Sequence, residues 1–159
     1  TKKGKTGAVQ ISGGYKSFVE TVGKTPGQQK LFTTGIGGVF DERSTSSWGR
    51  KFRYDEPIYD NINRFFETGF VNDVNLNING GTEKYNYYMS GNYRDGSSII
   101  PNTGSERITF LLKGTAKLAK NLSLGGSANY ISNNIKEGIV GGTSGGYANS
   151  IYNYPLRYD

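Results

Sequence analysis

From Phe70 to Asn133 apolar and small polar side chains alternate through four segments of roughly ten residues, FVNDVNLNIN, KYNYYMSGNYR, RITFLLKGTAKL and LSLGGSANYISN. A period of two puts one parity of positions on one face of a strand, so the pattern predicts four long β-strands. One face collects Phe70, Val74, Leu76 and Ile78, then Tyr85, Tyr87, Met89 and Tyr93. It continues with Ile108, Phe110, Leu112, Ala116 and Leu118, then Leu122, Leu124, Ala128 and Tyr130. No charge falls among them. The opposite face carries Asn75, Asn77, Asn79, Asn86, Ser90, Asn92, Arg94 and Arg107. It goes on with Thr109, Lys113, Thr115, Lys117, Ser123, Ser127 and Asn129, with Leu111 and Ile131 as exceptions. A tilted strand needs about 9–11 residues to cross a bilayer, and each segment is that long. The apolar face suits lipid and the polar face suits a water-filled lumen.

A soluble antiparallel sandwich alternates in the same way. Two details favour a transmembrane β-barrel. The connections alternate short and long: NGGTE and AKN are tight, whereas DGSSIIPNTGSE and the stretch after Asn133 are long and rich in Gly, Ser and Asn. Outer-membrane barrels pair short periplasmic turns with long outer loops. Aromatics also gather near segment ends, Phe70, Tyr93 and Tyr130 toward the long loops and Tyr85 beside a short turn, as in interfacial girdles.

Upstream, GAVQISGGY from Gly7 to Tyr15 predicts a fifth strand, with Gly13 and Gly14 permitting a bulge. From about Lys16 to Thr68 the alternation fails and Pro26, Pro57 and glycine-rich stretches predict a long connection, within which LFTTGIGGVF can form a short strand. DNINRFFETG predicts a helical turn capped by Asp60. With both tight turns, Gly80-Gly81 and Lys120-Asn121, in the periplasm, the Lys16–Thr68 loop lies outside the cell and the basic Thr1–Lys5 run lies on the periplasmic or lumenal side.

Composition narrows the function more than the fold. Among 159 residues there are 24 Gly and 12 Tyr, and neither Cys nor His. Disulfides and thiolate metal sites are thereby excluded, and the usual general base and commonest metal ligand are missing. The mean hydropathy of −0.58 fits a barrel, in which only alternate residues face lipid, and no apolar run reaches the 18 residues of a transmembrane helix. The net charge of +6 is concentrated early, at Lys2, Lys3, Lys5, Lys16, Lys24 and Lys30. These cations do not gather on one helix or in an aromatic-studded groove, so nucleic acid is not an expected partner. About five strands cannot close a wide barrel, and the chain reads as a piece of a longer one.

Particular residues carry a family resemblance. The series Tyr59, Asp60, Asn61, Phe65, Phe66, Thr68 and Gly69 leads into a strand, and is followed by Gly80, Gly81, Glu83 and Lys84. Ile100, Pro101, Asn102, Thr103 and the Arg107-led strand complete the order. This series, preceded by Thr1–Lys5 and a small-residue strand and followed by SIYNYPLRYD, resembles TonB-dependent outer-membrane transporters of the SusC/RagA type. The resemblance implies an antiparallel transmembrane β-barrel of about 22 strands, of which this chain supplies about five. It further implies that residues 1–6 end a plug domain and that 7–159 form the first barrel strands and outer loops. Implied partners are a SusD-like surface lipoprotein, the TonB complex, outer-membrane lipid and a glycan or peptide substrate. The implied location is the bacterial outer membrane, with nutrient import, no cofactor and no enzymatic step.

Other motifs weigh little. GIGGVF at Gly35–Phe40 and GGTSGG at Gly141–Gly146 lack the Lys-Ser/Thr of a phosphate loop. Asp41-Glu42 and Asp55-Glu56 read as solvated charge, and the NLS at Asn121 as a turn. Trp48, Tyr147, Tyr152 and Tyr154 are the substrate-binding candidates, since loop aromatics stack on sugar rings or peptide groups, against the plainer role of loop packing. Asn75, Asn77, Arg94, Arg107, Lys113 and Lys117 are expected in the lumen, where the four cations meet acids of the plug or an acidic substrate. Leu76, Ile78, Tyr87, Met89, Phe110, Leu112, Leu124 and Tyr130 are expected to face lipid. The alternatives are a soluble or surface-attached β-sheet adhesin or binding module, and a passive porin.

Overall fold

The computed structural model describes residues 4, 6–138 and 146–157. Five long strands form one antiparallel sheet: β1 (Gly7–Glu20), β4 (Gly69–Gly81), β5 (Tyr85–Ser97), β6 (Gly104–Ala119) and β7 (Leu122–Lys136), side by side in that order. A two-stranded hairpin, β2 (Gly35–Ile36) with β3 (Val39–Phe40), and two short helices, α1 (Asn61–Phe65) and α2 (Tyr147–Asn153), lie in the connections. Among the described residues the sheet does not close, and β1 and β7 are its edges. The fold is mostly β and antiparallel.

The five long strands expected are present, and each runs beyond its predicted end; the single short strand expected within LFTTGIGGVF is instead the β2–β3 hairpin, turned at Gly37 and Gly38, which both have positive φ. β1 continues through Lys16 to Glu20, where the sequence pattern had already given way to a loop. The reason is the adjacent pair Phe18 and Val19, which breaks alternation while each still meets a partner, Val71 and Phe70 respectively. The irregularity in β1 falls between Gly7 and Gln10 and not at the Gly13-Gly14 pair. Those two glycines instead lie flat against Asn75, whose carbonyl would stand 3.0 Å from a Cβ at Gly13.

The register fixes the faces. Ile11, Ile78, Met89, Leu112 and Ala128 stand in one row, and Gly13, Leu76, Gly91, Phe110 and Tyr130 in the next. Tyr15, Val74, Tyr93, Ile108 and Ser132 form a third row on the same face. Toward the tight turns the row is Gly80, Tyr87, Gly114 and Gly126, with the Tyr87 hydroxyl lying against Gly80. Along β7 the uncharged run from Leu122 to Ser132 spans about 34 Å of strand, or about 25 Å when inclined by roughly 45°. Beyond it the strands enter a polar row, Asn72, Asp95, Glu106 and Asn134.

The opposite face is less uniformly polar than the alternation predicts. Besides Leu111 and Ile131 it carries Phe18, Val71, Tyr88 and Ile135. Tyr88 is 5% exposed, and its hydroxyl donates to Asn77 Oδ1 at 2.7 Å. Asn92 Nδ2 donates to Asp73 Oδ1 at 2.8 Å.

Both tight turns are where the sequence puts them. At the β4–β5 turn Thr82 N donates to Tyr85 O at 2.6 Å, and Lys84 N donates to Thr82 Oγ1 at 3.2 Å. A Cβ at Gly81 would run into the Tyr85 carbonyl, so only glycine fits. Residues 21–68, 99–103, 137–138 and 146–157 make a second compact unit built from the long connections.

Candidate functional site

Within the loop unit, α1 begins where Asp60 accepts from Asn63 N at 3.2 Å and from Asn63 Nδ2 at 2.8 Å. The Asn63 side-chain bond, followed by the backbone bond, holds the Asp60 carboxyl below its ordinary value, as a cap should. Ile62 buries on one side of α1, and Ile151 and Leu156 are the other buried aliphatic side chains among the described residues of the unit. The last turn of α2 and the segment after it are tied back by three hydrogen bonds. Tyr59 N donates to Leu156 O at 2.7 Å, Asn61 Nδ2 to Pro155 O at 3.3 Å and Gln28 Nε2 to Tyr152 O at 2.9 Å.

Between α1 and α2 lies a cleft of about 420 Å³ lined by Asn61, Arg64, Phe65, Ser150, Ile151 and Tyr154. Phe65 is braced on two sides, stacked on Tyr147 at 5.8 Å and 10° and meeting Phe66 edge-on at 5.4 Å. The Arg64 guanidinium lies 5.8 Å from the centre of the Tyr59 ring. A smaller recess of about 90 Å³, lined by Gln28, Gln29, Phe32, Ser47 and the segment Tyr152–Leu156, shares Tyr154 with it.

Three of the four candidate aromatics thus belong to one neighbourhood. Tyr154 lines both clefts, Tyr152 lines the smaller one, and Tyr147 is a half-buried brace behind Phe65. Trp48 is not among the residues lining either cleft; it is 64% exposed, with its ring 5.9 Å from that of Phe32, which lines the smaller recess. Sequence reasoning passed over Arg64, Phe65, Asn61 and Ile151 as site residues. The signal that could have found them is the capped turn at Asp60, which sets Asn61, Arg64 and Phe65 on one helical face at spacings of three and four.

On the sheet, Leu76, Ile78, Tyr87, Met89, Phe110, Leu112, Leu124 and Tyr130 share the uncharged face, and Asn75, Asn77, Arg94, Arg107, Lys113 and Lys117 share the other. Leu76 is 48% exposed and Phe110 43%. Arg94 stands between Asp73 and Arg107 in its row. Exposed apolar side chains contiguous over five strands make a patch of the kind that a partner surface or a membrane covers.

No protein-family profile matches the chain. Over 86 residues it is 29% identical to TonB-dependent receptor P3 of Formosa agariphila. The likeness is to a TonB-dependent receptor. It is distant, and it covers 51% of this chain and 8% of that receptor, so the chain spans only a small part of the length of the relative it matches.

Proposed function

We propose that this chain is part of the barrel wall and outer loops of a TonB-dependent transporter of the SusC/RagA type. Such a transporter imports a glycan or peptide nutrient across the bacterial outer membrane with a SusD-like surface lipoprotein over its mouth. The observation that carries this reading is the uncharged face, continuous across five strands and tall enough for the hydrocarbon layer. The distant similarity to a TonB-dependent receptor supports it. On this reading residues 1–6 close the plug domain, and most of that stretch lies outside the described residues. Residues 7–159 supply strands and loops. Leu76, Ile78, Tyr87, Met89, Phe110, Leu112, Leu124 and Tyr130 meet lipid. Asn75, Asn77, Arg94, Arg107, Lys113 and Lys117 meet the lumen. No bond is made or broken: substrate binding shifts populations of closed and open states.

The apolar side chains on the polar face favour one rival, a binding module whose sheet is covered on both sides by protein. Fractionation of cells expressing the full-length protein separates the two. Recovery in the outer membrane, with nutrient uptake lost when TonB is deleted or the proton-motive force collapsed, is the expected result. Recovery in the soluble fraction rejects the transporter in favour of the module. Uptake that persists without TonB identifies a passive porin.

A further inference from the structure

The chain approaches β1 across the polar face of the sheet, and three glycines mark its path. Gly7 pairs with Gly81 at the start of β1 and sits at φ 130°, a conformation that glycine alone adopts readily. Gly81 stands in the polar-face row with Asn86, Thr115 and Gly125, and brings no side chain to that face at the end of β4. Gly4 lies beyond β4, against β5: a Cβ there would stand 2.7 Å from both Tyr87 N and Tyr87 O and 2.8 Å from Asn86 Oδ1. Tyr87 belongs to the uncharged face and Asn86 to the polar one, so Gly4 is seated on the polar side. From Gly4 to Gly7 the chain can reach about 10–11 Å, against about 9.6 Å for the two strand spacings from β1 to β5. The crossing fits with little to spare.

The seat and the strand it leads to are not held equally well. β5 is hydrogen-bonded into the sheet on both sides, to β4 and to β6. β1 begins with a break in its ladder, since after Gly7–Gly81 the next pair is Gln10–Asn79, and an interrupted strand end of that kind opens first. A pull on the chain ahead of residue 4 therefore meets the seat on β5 before it reaches the start of β1. The atoms that a side chain at residue 4 would strike include backbone that cannot swing aside, so the approach requires glycine. We propose that Gly4, seated on Asn86 and Tyr87, is a strap tying the chain to β5 where it enters the barrel wall. The plug then moves only upstream of residue 4, and β1 is not peeled from β4 when it does. The inference rests on the transporter reading for what lies upstream, and on the seat alone for where the load falls.

Pulling the amino terminus of the full-length protein out of a supported lipid bilayer with a force-microscope tip tests it, and needs no nutrient. The trace should show resistance at the contour length of residue 4, then a separate peak as β1 leaves β4. Gly4→Val should remove the first peak and keep the second, whereas a misfolded barrel would lose both. Gly4→Ala, a smaller intrusion, should lower the first peak without abolishing it. In the detergent-purified protein Gly4→Val should also speed amide exchange at Asn86 and Tyr87 about tenfold and leave the middle of β6 unchanged. Traces in which β1 yields with no earlier resistance, or which Gly4→Val leaves as they were, overturn the strap. These outcomes are read on protein that has inserted, so they are separate from recovery in the soluble fraction, which would overturn the transporter reading instead.

Discussion

Glu56 holds its part of the connection between β3 and α1 together through charge. Its carboxylate accepts from both terminal guanidinium nitrogens of Arg50, at 2.8 Å for Nη1, and from Arg53 N at 2.8 Å, and the Glu56 side chain is only 10% exposed. The same guanidinium donates to Lys51 O and lies 5.6 Å from the Phe40 ring centre, while Arg157 covers that ring at 5.2 Å. The Arg50 hydrogen bonds, then the Arg53 N–H, pull the Glu56 pKa from 4.5 down to about 2. Because the folded value is the lower one, the stabilisation is complete above about 4.5 and drains away as pH falls toward 2. Amide exchange across 50–56 should therefore stay slow at neutral pH and accelerate between those limits. Glu56→Gln should give fast exchange at neutral pH and no further acid step. An acid profile identical in wild type and variant would dismiss the pair's role. The sequence favoured solvated charge at Asp55-Glu56 over paired carboxylates for hydrolysis and did not reveal the ion pair, because nothing periodic in a loop links position 50 to position 56. The Asp60 cap was legible, since a cap acts over three residues.

At the scale of the strand, one row shows what the alternation is for. Phe110 stands between Gly91 and Tyr130 in the middle of the uncharged face. Phe110→Arg should cost about 2–4 kcal/mol if that face lies against hydrocarbon near the midplane. Reversible unfolding of the full-length protein from lipid vesicles measures this, and a cost near zero would mean the face is wet. The strands were readable because period two survives any detail of side-chain size. Their ends were not, since Phe18 beside Val19, and Asp95 and Glu106 beyond the apolar rows, break the rule while pairing continues. The turn at Ile100–Thr103, within a stretch read only as a long loop, had a local signal: Pro101 and Asn102 sit at its centre, Asn102 at φ 60°, and Thr103 N donates to Ile100 O. α2 was hidden within a stretch of Gly, Ser and Asn. It has no side-chain cap and is anchored by Ile151 and by Tyr147 stacked on Phe65, contacts that join residues far apart in sequence.

Taken whole, the described chain has a sheet with two open edges and one bare apolar face. Expressed by itself it should not give a soluble monomer, because edge strands of this length pair with further copies when nothing covers them. Size-exclusion chromatography with amide exchange is the check, and a monodisperse, protected monomer in plain buffer would favour the soluble module. The row Gly80, Tyr87, Gly114 and Gly126 carries one further consequence. Tyr87 lies over Gly80, but a Cβ at Gly126 would meet nothing within 4 Å, while its neighbour Gly125 brings no side chain of its own to the other face of β7 and has Thr115 beside it. Ladder hydrogen bonds last longest where side chains keep competing donors and acceptors away from them. The β6–β7 hairpin is therefore set to fray from its tight turn as far as the glycines, while β4 and β5, roofed by tyrosine, stay zipped.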